Sequence, residues 1–343
     1  VVAGLLTLVL IASIASYFVT LPYYAIAPGS ARTVTDLINV AEGTESFPPD
    51  GGVLLTTVSL GETRAIEAFA GWLDPDIDVV RREAIVPPET SGEEFRELNR
   101  LLMEDSQMTA VVVALRRLGH DITEHGEGGL VASVVQGFPA DGHLEPGDVI
   151  TAVDGAPTPL SRDVVAAIQA HQPGDVARLD VSPLNDEATR TVEVRLAAHP
   201  DGGGAFLGVE VRTAERDFNL PVDVKIDAGT IGGPSAGLAF TLGVIDMLTP
   251  GELTGGRRVA VTGTIGLDNA VGAVGGVAQK AAAVRDAGIE VFLVPAGEAE
   301  IARQRVGTSV RIVAVRTLDD ALAALGDLGG DLSALGPPAE AAS

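Results

Sequence analysis

Between Ser235 and Leu248 the chain carries a single charge, Asp246. That spacing predicts a helix apolar on nearly every side, and such a helix has to lie inside a domain, not on its surface. Its head is Gly232-Gly233-Pro234-Ser235-Ala236-Gly237. Gly233 suits the cap and Pro234 the first helical position, which places Ser235 in the first turn. The unpaired N–H groups and dipole of a helix N-terminus favour negative charge beside that serine, which is what an attacked carbonyl oxygen requires. Taken alone, the string is first of all a well-made helix start.

The 343 residues are 46% hydrophobic with a net charge of −24, enough for more than one core. The acidic balance, with no run of Lys and Arg, argues against nucleic acid as a partner. There is no cysteine, which removes disulfides, thiolate metal sites and a cysteine nucleophile, and no metal or cofactor site is expected. Of the 23 basic residues only Lys225 and Lys280 are lysine. Lysine can do one thing that arginine cannot, which is lose its proton.

From Val1 to Ala31 no residue is charged. Residues 1–27 are expected to form a transmembrane anchor, with a cleaved signal peptide as the competing reading. Acidic residues soon follow, including Asp36, Glu42 and Asp50, which favours an extracytoplasmic location for the rest at the cell membrane. Residues 28–120 read as an α/β region: a strand at Val53–Leu60, then a helix over Ser91–Leu118 opening with Ser91 and Glu94 in capping-box spacing and presenting Leu98, Leu101, Leu102, Val111 and Leu115 as apolar positions. No chemistry is expected there. Residues 121–200 read as β-rich, with strands near Val131, Val149, Val176 and Thr191 and a short helix showing Val164, Val165 and Ile168. Asp201-Gly202-Gly203-Gly204 reads as a domain boundary. Residues 205–326 alternate strands and helices in an α/β pattern, and 327–343 read as a flexible tail.

A nucleophilic Ser235 needs a base. All five histidines lie at or before His199, so a Ser-His-Asp arrangement would recruit one from the preceding units. A Ser-Lys pair needs only Lys280 or Lys225, and Lys225 is a polar position in an alternating strand. On the helix expected over Val277–Gly288, Lys280 shares a stripe with Val277, Ala281 and Val284, while Gln279, Arg285 and Asp286 point elsewhere. A lysine there either snorkels to the rim or is buried, and burial lowers its pKa toward that of a general base. Thr262 and Thr264 are placed to hydrogen-bond the amine or the serine.

Two resemblances follow. The string Leu144-x-x-Gly147-Asp148-x-Ile150-x-x-Val153-Asp154-Gly155 resembles a PDZ domain. The resemblance implies a peptide groove between the strand at Gly129, Leu130 and Val131 and the helix at Val164 and Ile168, although the loop reads Gly-Gly-Leu-Val and not Gly-Leu-Gly-Phe. Gly233-Pro234-Ser235-Ala236-Gly237, Thr262-Gly263, and Gly275-Gly276 followed by Lys280 resemble the proteolytic domain of the Lon family of serine proteases. The whole chain is similar to bacterial membrane-anchored Lon-like proteases. That resemblance implies an α/β (α+β) Lon-type domain, with Ser235 as nucleophile, Lys280 as base and Thr262 positioning the lysine. It further implies protein or peptide substrates, no cofactor, and assembly as a homo-oligomeric ring. No Gly-x-x-x-x-Gly-Lys-Ser/Thr loop is present, so no dependence on ATP is expected. Gly232 stands where Lon itself often has an acidic residue, and Thr264 where it has a glutamate. The alternative function is a membrane-anchored PDZ scaffold that binds peptides without cleaving them.

Overall fold

The computed structural model describes residues 20–64, 68, 71, 73–87, 90–183 and 188–336. They divide into two compact units, one formed by the chain up to Asp121 together with the chain from Pro221, the other by Ile122–Leu220. The second unit is thus an insertion in the sequence of the first.

The chain enters the first unit through β1 (Thr20–Thr33), β2 (Ile38–Val40), β3 (Gly52–Arg64), β4 (Asp78–Arg81) and the helix α1 (Gly92–Arg117). The second unit follows with β5 (Glu124–His125), β6 (Gly128–Val134), β7 (Asp148–Val153), β8 (Ala156–Pro157), α2 (Ser161–Gln169), β9 (Val176–Pro183), β10 (Arg190–Arg195), β11 (Ala197–Ala198), β12 (Ala205–Phe206), β13 (Val209–Ala214) and β14 (Asp217–Phe218). The first unit resumes with β15 (Val224–Ile226), α3 (Gly237–Leu248), β16 (Arg258–Val261), β17 (Thr264–Ile265), β18 (Val271–Gly272), α4 (Val277–Asp286), β19 (Val291–Pro295), α5 (Ala299–Val306), β20 (Arg311–Val315) and α6 (Leu318–Asp327).

In the first unit, six strands run in the order β20-β19-β16-β3-β1-β4. The first four are parallel, and β1 and β4 add antiparallel. Val53, Leu54 and Leu55 are all buried, as are Val291–Val294, the continuous apolar pattern of strands covered on both faces. Leu54, Ala260 and Phe292 share one cluster with Val277, Ala281 and Val284 of α4 and Ala302 of α5. Helix α3 is buried from Gly237 to Met247, as its composition demands, and packs against α1.

Four expectations change here. The region 28–120 is not a unit of its own, because β3 lies between β16 and β1 in the sheet that carries the C-terminal strands. Of the expected anchor, residues 1–19 lie outside the described residues and residues 20–27 belong to β1, paired with β3. No helix among the described residues is long and apolar enough to cross a membrane. The tail is tied down as far as 336: the Asp331 N–H donates to Glu252, and Arg117 donates to the Gly336 carbonyl at 3.0 Å. On α1 the capping box of Ser91 and Glu94 forms, but Leu98 and Leu101 are 42% and 49% exposed. Val111 and Leu115 are buried as expected, and the buried side of α1 also takes in Met103, Ser106, Thr109, Ala110 and Val113, because that is the side α3 covers.

The second unit is a sheet in the order β10-β9-β7-β6-β13, with α2 packed on it and Val131, Ile150, Val164, Ile168, Leu179 and Leu207 in its core. The glycine stretch 202–204 does not end this unit. The chain returns as β12 to β14, and β13 pairs antiparallel with β6.

Candidate active site and peptide groove

Ser235 sits in a 3-10 turn, Pro234–Ala236, that precedes α3. Gly233 enters the turn at φ 83°, a conformation in which a side chain would be strained. The turn is held from several sides. The Gly233 N–H donates to the Asn99 carbonyl at 2.8 Å, and the Ser106 hydroxyl donates to the Pro234 carbonyl at 3.0 Å. The Ser235 carbonyl accepts from the Gly263 N–H at 3.0 Å and from the Thr262 hydroxyl at 3.2 Å. Both supports from α1 come from a helix in which the sequence showed no chemistry, because single hydroxyl and carbonyl contacts leave no periodic signal.

Lys280 projects from the first turn of α4, which starts after Gly276 in the left-handed region at φ 66°. A side chain at Gly276 would also meet Val58 at 2.8 Å, so glycine is required there twice over. Lys280 is 2% exposed, on the stripe expected for it, whereas Gln279, expected to point elsewhere, is 1% exposed. The Lys280 Nζ lies 2.8 Å from the Ser235 Oγ and 3.0 Å from the Thr262 Oγ1. Thr262 therefore accepts from the amine while donating to the Ser235 carbonyl, and its hydroxyl fixes both partners. Thr264 has no contact with either.

Burial brings the Lys280 pKa down to about 8, against an opposing pull from the Glu298 carboxylate. Glu298 accepts the Val274 N–H with both oxygens, each at 3.1 Å, which anchors the loop leading to Gly276. Burial pushes the Glu298 carboxyl itself up. Glu298 was missed in the sequence because nothing local links it to Lys280, 18 residues earlier in the chain. Lys225 is exposed on β15, beside Asp223 at 3.7 Å. Among the described residues, no group of three His, Asp or Glu is placed to hold a metal.

The Ser235–Lys280 pair opens into a cleft of about 520 Å³ lined by β1, β3, the start of α1 and the serine turn. One wall offers unused backbone. β16 pairs with Gly52–Leu55 only, so among the described residues the same edge of β3 carries no strand beyond Leu55. An extended peptide fits such an edge by adding as a further strand.

In the second unit, the groove is not where the sequence put it. β6 is paired on both edges: Gly129 and Leu130 with Ile150 and Val149 of β7, and Gly129, Leu130 and Val131 with Thr213, Arg212 and Val211 of β13. Val131 is in the core, and Gly129 lies so close beneath Val164 that a Cβ there would approach it to 2.8 Å. Beside β6 the edge strand is β13, with β10 at the other end of the sheet. A cavity of about 180 Å³ lies along β13, lined by Val164, Ile168, Phe206, Leu207, Val209 and Val211 among others. Val164 and Ile168 line the groove as expected; Gly129, Leu130 and Val131 form the strand behind it. The available signal is the alternating Val209–Ala214 run after the glycines, which a boundary at 201–204 assigns to the next domain.

The fold and site define a chain with an α/β unit holding a serine hydrogen-bonded to a buried lysine, and a β-rich unit with an open strand edge beside a helix. Comparison with known families finds one match centred on each unit, with bounds that differ from those of the units. Residues 208–325 match the Lon protease (S16) C-terminal proteolytic domain, and residues 116–196 match the PDZ domain. The chain carries a Lon-family protease domain together with a PDZ domain. It is 29% identical over 139 residues to a Lon protease of Phenylobacterium zucineum, covering 40% of this chain and 17% of that protein. It is 29% identical to a Lon protease of Roseiflexus castenholzii, covering 43% and 20%. To Lon protease 1 of Myxococcus xanthus it is 23% identical over 283 residues, covering 74% of this chain and 34% of the relative. The chain thus spans between 17% and 34% of the length of these relatives. The Lon match begins at 208, but the compact unit that holds Ser235 also includes β1, β3 and α1, over two hundred residues upstream of Ser235 at its start.

Proposed function

We propose that the chain is a serine endopeptidase, independent of ATP, that cleaves protein or peptide segments through a Ser235/Lys280 dyad. The observation that carries this reading is a lysine amine 2.8 Å from a serine hydroxyl inside an apolar setting that lowers its pKa. Neutral Lys280 takes the proton from the Ser235 hydroxyl as the oxygen attacks the scissile carbonyl. The resulting oxyanion is held by backbone N–H groups of the serine turn. Protonated Lys280 then gives its proton to the leaving amine, an acyl-enzyme forms, and Lys280 deprotonates the water that releases it. Thr262 acts through the other two, holding the amine and the Ser235 backbone in place. The substrate lies extended along the open edge of β3, and the PDZ groove beside β13 takes an extended segment in the same way.

Peptide hydrolysis by the full chain, compared with Ser235→Ala and Lys280→Arg, tests the dyad. Loss of turnover in both supports it. Full activity in Lys280→Arg excludes the lysine as base, since arginine keeps its proton.

The uncharged run from Val1 supports attachment to a membrane with the catalytic part outside the cytoplasm, which protease accessibility in intact and permeabilised cells tests. Assembly as a ring is tested by the solution mass of the chain.

A further inference from the structure

The chain has 47 acidic and 23 basic residues, yet among the described residues no carboxylate lines the cleft at Ser235. Its two charged lining residues are Lys280, which is engaged with Ser235 and Thr262, and Arg32 on β1. Arg32 is exposed, and no described residue hydrogen-bonds or ion-pairs with its guanidinium. Some arginines of the same unit are engaged, Arg285 and Arg305 with Asp76 and Arg117 with Asp319; what sets Arg32 apart is its place in the lining of this cleft. A guanidinium with no partner among the described residues, in a cleft they line without a carboxylate, is placed for a carboxylate brought by the substrate.

The strand pairing spaces the cleft. Arg32 faces Leu55 across the β1–β3 ladder, and Ile26 faces Leu60. At about 3.4 Å per residue, Leu55 and Leu60 lie roughly 17 Å apart along β3. One end of the cleft is therefore cationic and the other apolar, with Phe95 and Ile85 also in the lining. Thr56 lies between them, its hydroxyl buried and without a partner among the described residues.

We propose that Arg32 is a specificity-determining residue. The cleft selects extended segments that carry Asp or Glu at the Arg32 end and an apolar side chain about four to six residues away. Lysine or arginine at the first position is disfavoured. Cleavage of such segments rests on the Ser235/Lys280 reading; their recognition does not.

The test uses the full chain and internally quenched peptides that differ only in Glu, Gln or Lys, moved one position at a time through four residues on each side of the scissile bond. At one position, wild type is expected to prefer Glu over Lys about tenfold in kcat/KM, the swing between an exposed attractive and an exposed repulsive pair. Arg32→Gln should bring that ratio close to one, and Arg32→Glu should invert it. A second arm measures binding of the same peptides to the Ser235→Ala chain by fluorescence anisotropy, where no turnover is needed. A Glu/Lys binding ratio that follows residue 32 supports the inference even if wild type cleaves nothing, in which case the dyad reading alone fails. Cleavage with one and the same Glu/Lys ratio in wild type, Arg32→Gln and Arg32→Glu overturns it, as does binding that ignores residue 32.

Discussion

The hydroxyl of Ser106 donates to the carbonyl of Pro234 at 3.0 Å, so a helix 128 residues upstream holds the turn that carries Ser235. The contact crosses the insertion of a whole PDZ-containing unit in the sequence, and it makes α1 part of the framework that holds Ser235. With the Asn99 carbonyl on Gly233, it fixes the turn before α3 begins. Ser106→Ala leaves the Pro234 carbonyl without this donor and should cost about 1 kcal/mol of stability. It should lower kcat several-fold with little change in KM or in the pH profile, which steady-state kinetics will show.

The proposed mechanism requires Lys280 to be neutral. With its pKa lowered to about 8, kcat/KM should rise with pH up to that point and level off above it. The stability consequence has a definite sign. Between pH 8 and the ordinary value of 10.5 the unfolded chain binds one proton more than the native one, so stability rises with pH across that window. At pH 7 the buried ammonium is a burden, and Lys280→Met should be inactive yet more stable by on the order of 1–3 kcal/mol, measured by chemical denaturation.

Glu298 pulls the Lys280 pKa up while its carboxylate anchors Val274. Glu298→Gln keeps an acceptor for the Val274 N–H and removes the charge. The rising limb of the pH–rate profile should then move to lower pH, with kcat at the plateau little altered. Glu298→Ala, which also loses the acceptor, should lower the plateau itself. An unmoved limb in Glu298→Gln would show that the carboxylate charge does not reach the amine.

Asp246, the one charge in α3, is fully buried; one oxygen accepts the Leu253 N–H at 3.0 Å and the other has no partner among the described residues. Burial pushes its pKa up to about 6. Between its ordinary value of 3.8 and that value the native chain holds the extra proton, so this group's contribution to stability falls as pH rises and its cost is complete above about 6. Asp246→Asn keeps the acceptor and should stabilise the chain by about 1–2 kcal/mol at pH 8, with a smaller gain at pH 4. Thermal melts at both values decide it.

The groove along β13 places Val165, 42% exposed, on its helical wall. Val165→Lys should weaken binding of extended peptides at least several-fold without lowering the melting temperature. Leu130→Ala, on a strand paired along both edges, should leave binding unchanged once any loss of stability is accounted for. Calorimetric titration with peptides selected from a display library distinguishes the two.

Much of this protein was legible in the chain alone, where the signal was local. The capping box at Ser91 and Glu94, the apolar helix after Ser235 and the stripe that carries Lys280 are all periodicities or short spacings, and each formed as expected. Sheet order is not local. That β3 and α1 join the unit of Ser235, that β13 comes back to cover β6, and that Glu298 reaches Val274 are pairings between distant segments, and no window of sequence contains both partners. The exposed Leu98 and Leu101 show the same limit, because an apolar stripe says that a helix packs but not which neighbour arrives. The sequence by itself determined the helices and the chemistry of a serine and a lysine. Tertiary structure alone decided that they stand 2.8 Å apart, and which strand edges stay open for a peptide.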